Sequence, residues 1–260
     1  MIHINIILFL ILFIIYICIK KEYVDLFTDI QFKNNISYNV IHMKNSNENK
    51  YNNILNIEKQ INQKINIFDA IVGKNVNLKN LNIFDKNIKF NFNYAFIGEV
   101  GCYLSHLLLI KQASADIIND YTVIFEDDFK VNNNNLNEEI NNIINKLNGD
   151  FDIIFLGNLN NNHKKQIIDN IYTVDSLTSL WGTHALLINN KNANKILSNI
   201  TTIDQAIDNK YKSIIDDNSI KSYVIYPTLV EQNTDDFKSE IRPNAYTYFG
   251  TLYRKLLKIF

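Results

Sequence analysis

The run Val123-Ile124-Phe125 followed at once by Glu126, Asp127 and Asp128 constrains this chain more than any other stretch. Tyr121 to Phe125 reads as a strand with apolar residues on both faces. That is the pattern of a parallel sheet covered by helices. In such sheets ligands sit at the carboxyl ends of the strands. Three adjacent carboxylates there repel one another unless solvated or neutralised by a cation. Hard oxygen ligands suit Mg²⁺ or Mn²⁺, which in turn hold nucleotide diphosphates. For the hexapeptide taken alone, a solvated acidic turn is the plainer alternative.

The remainder of the chain supplies an alternating pattern. Tyr38 to Met43 reads as the first strand, and Tyr51, Ile54, Ile57, Ile61 and Ile65 recur at helical spacing. Ile67 to Val72 is a short apolar strand closed by Gly73; residues 74 to 93 give no firm assignment. Gly98 opens a helix running to about Ser114. Leu136 to Leu147 forms another amphipathic helix, and Phe151 to Leu156 a second buried strand. Ile171 to Val174, His184 to Ile188 and Tyr223 to Tyr226 read as further strands; Asn192 to Leu197 and Ile203 to Asn209 read as short helices. Strands alternating with helices predict an α/β fold with a mainly parallel central sheet. The last segment, Tyr253 to Phe260, predicts a basic, apolar terminal helix.

Composition narrows the function. The 260 residues carry 26 basic and 27 acidic side chains, so no global field favours nucleic acid. Two cysteines, Cys18 and Cys102, make no disulfide framework and exclude zinc sites of the paired-cysteine kind. Five scattered histidines without HExxH argue against a zinc hydrolase. Ile2 to Ile19 is almost wholly apolar, and as a helix of roughly 27 Å it is long enough to span a bilayer core. Without a basic leader or a small-residue exit it reads as an uncleaved anchor rather than a signal peptide. The expected organisation is an anchor over 1–20, a stem over 21–36 and one domain over 37–260. Lys20 and Lys21 favour a cytosolic domain, while the sequons at Asn35 and Asn199 fit an endomembrane lumen.

Four further segments hold candidate chemistry. Gly98-Glu99-Val100-Gly101 places two glycines at a helix start, for ligand approach or for tight packing, ahead of Ser105 and His106. Gly182-Thr183-His184 is a small-residue loop before a strand. Asp204 stands near a short helix start, where capping alone explains a carboxylate. Pro227 to Gln232 leads from a strand into a polar loop.

In this order the segments resemble glycosyltransferase family 25, which includes bacterial lipooligosaccharide galactosyltransferases and collagen hydroxylysine galactosyltransferases. The resemblance rests on Gly98-Glu99-Val100-Gly101-Cys102-x-x-Ser105-His106, Glu126-Asp127-Asp128, Phe151 to Gly157, Gly182 to Ile188, Ile203-Asp204 and Pro227 to Gln232. Leu186 stands where the family has Tyr. The first strand ends Ile41-His42-Met43, with Lys44 and Lys50 following, where the family has Ile-Asn-Leu and then basic residues. Lys supplies a point charge there but not a bidentate fork.

The resemblance implies a GT-A-like nucleotide-sugar-binding fold and inverting transfer of a hexose, galactose or glucose, from a UDP-sugar. The acceptor would be a glycan or hydroxylysine-type hydroxyl. Mn²⁺ or Mg²⁺ would be held by Glu126, Asp128 and His184. Asp204 would act as general base, with Glu99 in reserve. His42, Lys44, Gly98, Ser105, His106, Asp127, Gly182 and Gln232 would shape the donor pocket. The alternative is a membrane-tethered glycan- or nucleotide-binding protein that keeps the fold without turnover.

Overall fold

The computed structural model describes residues 34–44, 47–92, 96–159, 163–174, 182–234 and 236–237. The expected anchor, nearly all of the stem and the expected C-terminal helix lie outside the described residues. Among the described residues no helix is long and apolar enough to cross a membrane.

The chain enters through β1 (Ile36–His42), α1 (Glu48–Ile61) and β2 (Ile65–Asp69). Asn47 caps α1, its side-chain oxygen accepting from the Asn49 N–H at 2.9 Å. Asn62, in the left-handed conformation at φ 49°, ends it. Ile65 therefore opens β2 instead of extending the helix. A short segment containing β3 (Lys89–Phe90) leads to the long helix α2 (Ile97–Ala115).

Next come β4 (Tyr121–Glu126), β5 (Phe129–Val131), α3 (Leu136–Lys146) and β6 (Ile153–Phe155). A hairpin of β7 (His163–Ile168) and β8 (Ile171–Val174) precedes β9 (Ala185–Asn189) and α4 (Ala193–Ile200). Last among the described elements are β10 (Thr202–Ile203), α5 (Ile207–Asp216), β11 (Ser222–Ile225) and β12 (Val230–Gln232).

Eight strands form the central sheet in the order β2-β1-β4-β9-β6-β11-β8-β7. It is mixed, which corrects the expectation of a mainly parallel sheet. β1 runs parallel to β2 and β4, and β6 to β11, but β9 lies antiparallel between β4 and β6. Parallel pairing needs a crossover, usually a helix. Between β6 and β9 the described chain supplies the β7–β8 hairpin instead, and β9 returns in the opposite direction.

Both faces of the sheet are covered. Tyr38, Val40, Val123 and Phe125 pack with residues of α1 and α3 in one core. Ile41, Ile124, Ile153 and Phe155 pack with residues of α2, α4 and α5 in the other. The apolar run of β4 thus reports helices on both sides of the sheet. It carries no information about strand direction.

Two glycines set how α2 meets the segment after β2. A Cβ on Gly73 would lie 1.7 Å from the Ile97 carbonyl oxygen, and one on Gly101 would lie 2.3 Å from that of Ile71. Ser105 fastens this approach. Its Oγ accepts from the Ile71 N–H at 2.9 Å and donates to the Gly101 carbonyl at 2.8 Å. Of the two readings of the glycine pair, tight packing holds for Gly101. Gly101→Ala should lower stability by about 2 kcal/mol through forced backbone displacement. Urea unfolding is the measurement: a lowered midpoint at constant slope is expected, and an unchanged midpoint contradicts the close approach.

Candidate functional site

The glycine-tight contact between α2 and residues 71–73 forms one wall of a cleft of about 340 Å³. Gly98, Cys102 and Ser105 of α2 line that wall. The three acids at the end of β4 line the opposite part, with Lys50 and Gln232 beside them. Neighbours differentiate the acids.

Asp127 is 8% exposed and is held from two sides. His42 donates from Nδ1 to Oδ2 at 2.9 Å, and Lys50 donates from Nζ to Oδ1 at 2.8 Å. A buried carboxylate keeps its charge only when partnered in this way. His42, at the end of β1, and Asp127 therefore brace the cleft floor. Lys44 is exposed and does not line the cleft; Lys50, one turn into α1, brings the cationic charge there.

Glu126 accepts three donors on Oε1: Thr183 Oγ1 at 2.6 Å, His106 Nε2 at 3.1 Å and, weakly, Cys102 Sγ at 3.9 Å. Burial alone pushes its pKa up. The His106 hydrogen bond and charge, with the Thr183 hydroxyl, outweigh burial and hold the carboxyl below its ordinary value.

Asp128 accepts from Gln232 Nε2 on Oδ2 at 2.7 Å, while its buried Oδ1 has no partner. Burial first, then the Glu126 charge, raises its pKa from 3.8 to about 6, against the Gln232 hydrogen bond and the Lys50 charge. One acid of the pair is kept ionised and the other is pushed toward its protonated form.

A hard divalent cation fits this arrangement. It would supply a partner for the orphaned Asp128 oxygen and relieve the repulsion between Asp128 and Glu126. The third expected ligand is placed differently. His184 is 1% exposed and does not line the cleft. Its Nε2 is 3.3 Å from the Val230 carbonyl and its Nδ1 is buried without a partner. Burial lowers its pKa and keeps it neutral. Among the described residues, the group of ligand atoms all within 4.8 Å of one another is Cys102, His106 and Glu126, not Glu126, Asp128 and His184. Gly182, at φ +89°, instead makes room for the His184 ring, whose Nδ1 would stand 2.9 Å from a Cβ there.

Neither of the two candidate bases lines the cleft. Glu99 caps α2, its Oε2 accepting from the Phe96 N–H at 3.1 Å. Asp204 follows β10 on a loop, not in the expected helix, and does not line the cleft. Both its oxygens accept from Lys210 Nζ, at 3.0 and 3.1 Å. The sequence places Lys50 among the basic residues after the first strand, but it gives Cys102 no role in the site. Position is the signal: Lys50 lies in the first turn of α1, eight residues after the end of β1, and Cys102 lies one turn before His106.

Comparison with known proteins follows the same segments. A family model described as glycosyltransferase family 25 (LPS biosynthesis protein) matches residues 35–211. No curated protein matches the chain.

The raised pKa of Asp128 predicts a site that costs stability when empty. A group whose pKa is higher in the folded state contributes stability below its ordinary value, near 3.8, and loses it as pH rises through about 6. With chelator present at pH 8, Asp128→Asn should therefore stabilise the fold, on the order of 2 kcal/mol. The gain should shrink toward pH 4. Thermal unfolding across that range checks it, and equal or lower stability of the variant at pH 8 contradicts it.

Proposed function

The chain belongs to glycosyltransferase family 25, and from that premise we propose that it transfers a hexose, galactose or glucose, from a UDP-sugar to a hydroxyl acceptor with inversion. The observation carrying this reading is the Glu126–Asp128 pair, which opens into the cleft with one buried carboxylate oxygen unpartnered. Glu126 and Asp128 would hold Mn²⁺ or Mg²⁺. A divalent cation bound there supplies Lewis-acid stabilisation of negative charge on a departing diphosphate.

The chain's own groups do the rest. Lys50 brings a positive charge to the cleft floor while holding Asp127 in place. Gln232 engages Asp128 through Oδ2 and leaves Oδ1 as the oxygen without a partner. His106 and Thr183 orient Glu126 through Oε1. The helix α2 begins at Ile97, so its first-turn N–H groups lie next to Gly98 on the cleft wall. A helix start favours anionic groups there.

Inversion requires an acceptor hydroxyl that loses its proton as it attacks. Asp204 is the proposed base. Lys210 donates to both its oxygens, and each oxygen keeps a further lone pair from which it can accept the acceptor hydroxyl. The acceptor is proposed as a glycan or hydroxylysine-type hydroxyl. The apolar run Ile2 to Ile19 supports tethering of the domain to a membrane.

Release of UDP from UDP-galactose and UDP-glucose in the presence of Mn²⁺ and candidate acceptors tests the proposal. Asp128→Ala should reduce turnover by at least about a hundredfold, the scale of a lost electrostatic stabiliser. Normal turnover by that variant would remove the cation assignment. Asp204→Asn should cut kcat strongly with donor binding retained. Unchanged turnover would take Asp204 out of the base role.

A further inference from the structure

Cys102, His106 and Glu126 are brought together by α2 and β4, and the mechanism proposed above uses only one of the three as a cation ligand. Cys102 and His106 are four residues apart on α2, so their side chains stand one above the other on one face. Glu126 approaches that face from the end of β4. Its Oε1 lies 3.1 Å from His106 Nε2 and 3.9 Å from Cys102 Sγ, and the three ligand atoms lie within 4.8 Å of one another.

These separations match a soft-ligand metal site. With Zn–S near 2.3 Å and Zn–N or Zn–O near 2.0 Å, neighbouring ligands of a tetrahedral zinc sit about 3.3–3.6 Å apart. Modest side-chain adjustment converts the observed cluster to that spacing. The donor set is one thiol, one imidazole and one carboxylate, which suits Zn²⁺ and not Mg²⁺ or Ca²⁺. Cys102 and Glu126 both line the cleft, so an ion can enter from it and keep a fourth position open toward it.

We propose that Cys102, His106 and Glu126 form a binding site for Zn²⁺ or another thiophilic divalent ion on the cleft wall, distinct from the hard-cation position at Glu126 and Asp128 but sharing Glu126 with it. The two occupancies compete for one carboxylate. Zn²⁺ at the cluster draws Glu126 toward α2 and away from Asp128, so it inhibits transfer. That consequence, unlike the site itself, rests on the proposed transferase reading.

Cobalt(II) titration of the full chain tests the site without reading turnover. Thiolate ligation of Co²⁺ gives a charge-transfer absorption in the near ultraviolet. One Co²⁺ per chain with that absorption is expected, and Zn²⁺ should abolish it by displacement. Cys102→Ser should lose the band, and Cys102→Ala provides a second variant should the first fold poorly. His106→Gln should weaken Co²⁺ binding at least about tenfold. Asp128→Ala should keep the band. No band in the intact chain, a band that survives loss of Cys102, or His106→Gln binding as tightly as the intact chain overturns the proposal. So does loss of the band in Asp128→Ala, which would put the ion at the hard-cation position. A chain that binds Co²⁺ through Cys102 yet turns over no UDP-sugar would fail the transferase reading alone.

Discussion

Two carboxylates at the end of one core strand repel each other, and the rest of the site is arranged around how that repulsion is relieved. Glu126 is relieved by donors, with His106 and Thr183 both on one oxygen. Asp128 is relieved on one side only, by Gln232, and the other oxygen is left buried without a partner. The asymmetry separates the two acids' affinities for protons. It requires side chains from α2, from the loop before β9 and from β12, which pairs with β5 in a separate two-stranded sheet, so segments far apart in sequence assemble it.

Asp127 shows the opposite solution. His42 and Lys50 engage both of its oxygens, which makes it a brace. The brace ties β1 and α1 to the end of β4. On the other side of the cleft, Gly73, Gly101 and Ser105 tie α2 to the chain after β2. Removing one partner of a buried charge pair generally costs several kcal/mol, so the brace holds its side of the cleft in place while the buried Asp128 oxygen beside it is not satisfied. Unfavourable electrostatics concentrated at one point, with packing on every side to hold it, is the pattern expected of a binding site.

Much of this was legible in the sequence. The strand ending in acids, the helix from Gly98 and the amphipathic helix from Leu136 all carry strong local patterns, and they appear close to where periodicity places them. Strand direction was not legible, because β9 is as apolar as a parallel strand and a hairpin, β7–β8, stands between β6 and β9 where a crossover helix would be expected. Short strands such as β5 and β12 escaped notice because they gain their order from each other, across about a hundred residues of sequence. Of the candidate residues, Gly98, Ser105, Glu126, Asp127, Asp128 and Gln232 line the cleft, and the others stand elsewhere. His184 does not line the cleft, Glu99 caps a helix, and His42 partners an acid through a long-range contact that local pattern does not encode.

The central claim is that Asp128 and Glu126 grip a divalent cation and, through it, a nucleoside diphosphate. Calorimetric titration of UDP into the protein, with and without Mn²⁺, tests it most directly. The account predicts binding that strengthens at least about tenfold with Mn²⁺, a gain of about 1.4 kcal/mol, and that loses this gain in Asp128→Asn. Binding of UDP that is indifferent to Mn²⁺, or a Mn²⁺ effect that survives the substitution, would contradict it.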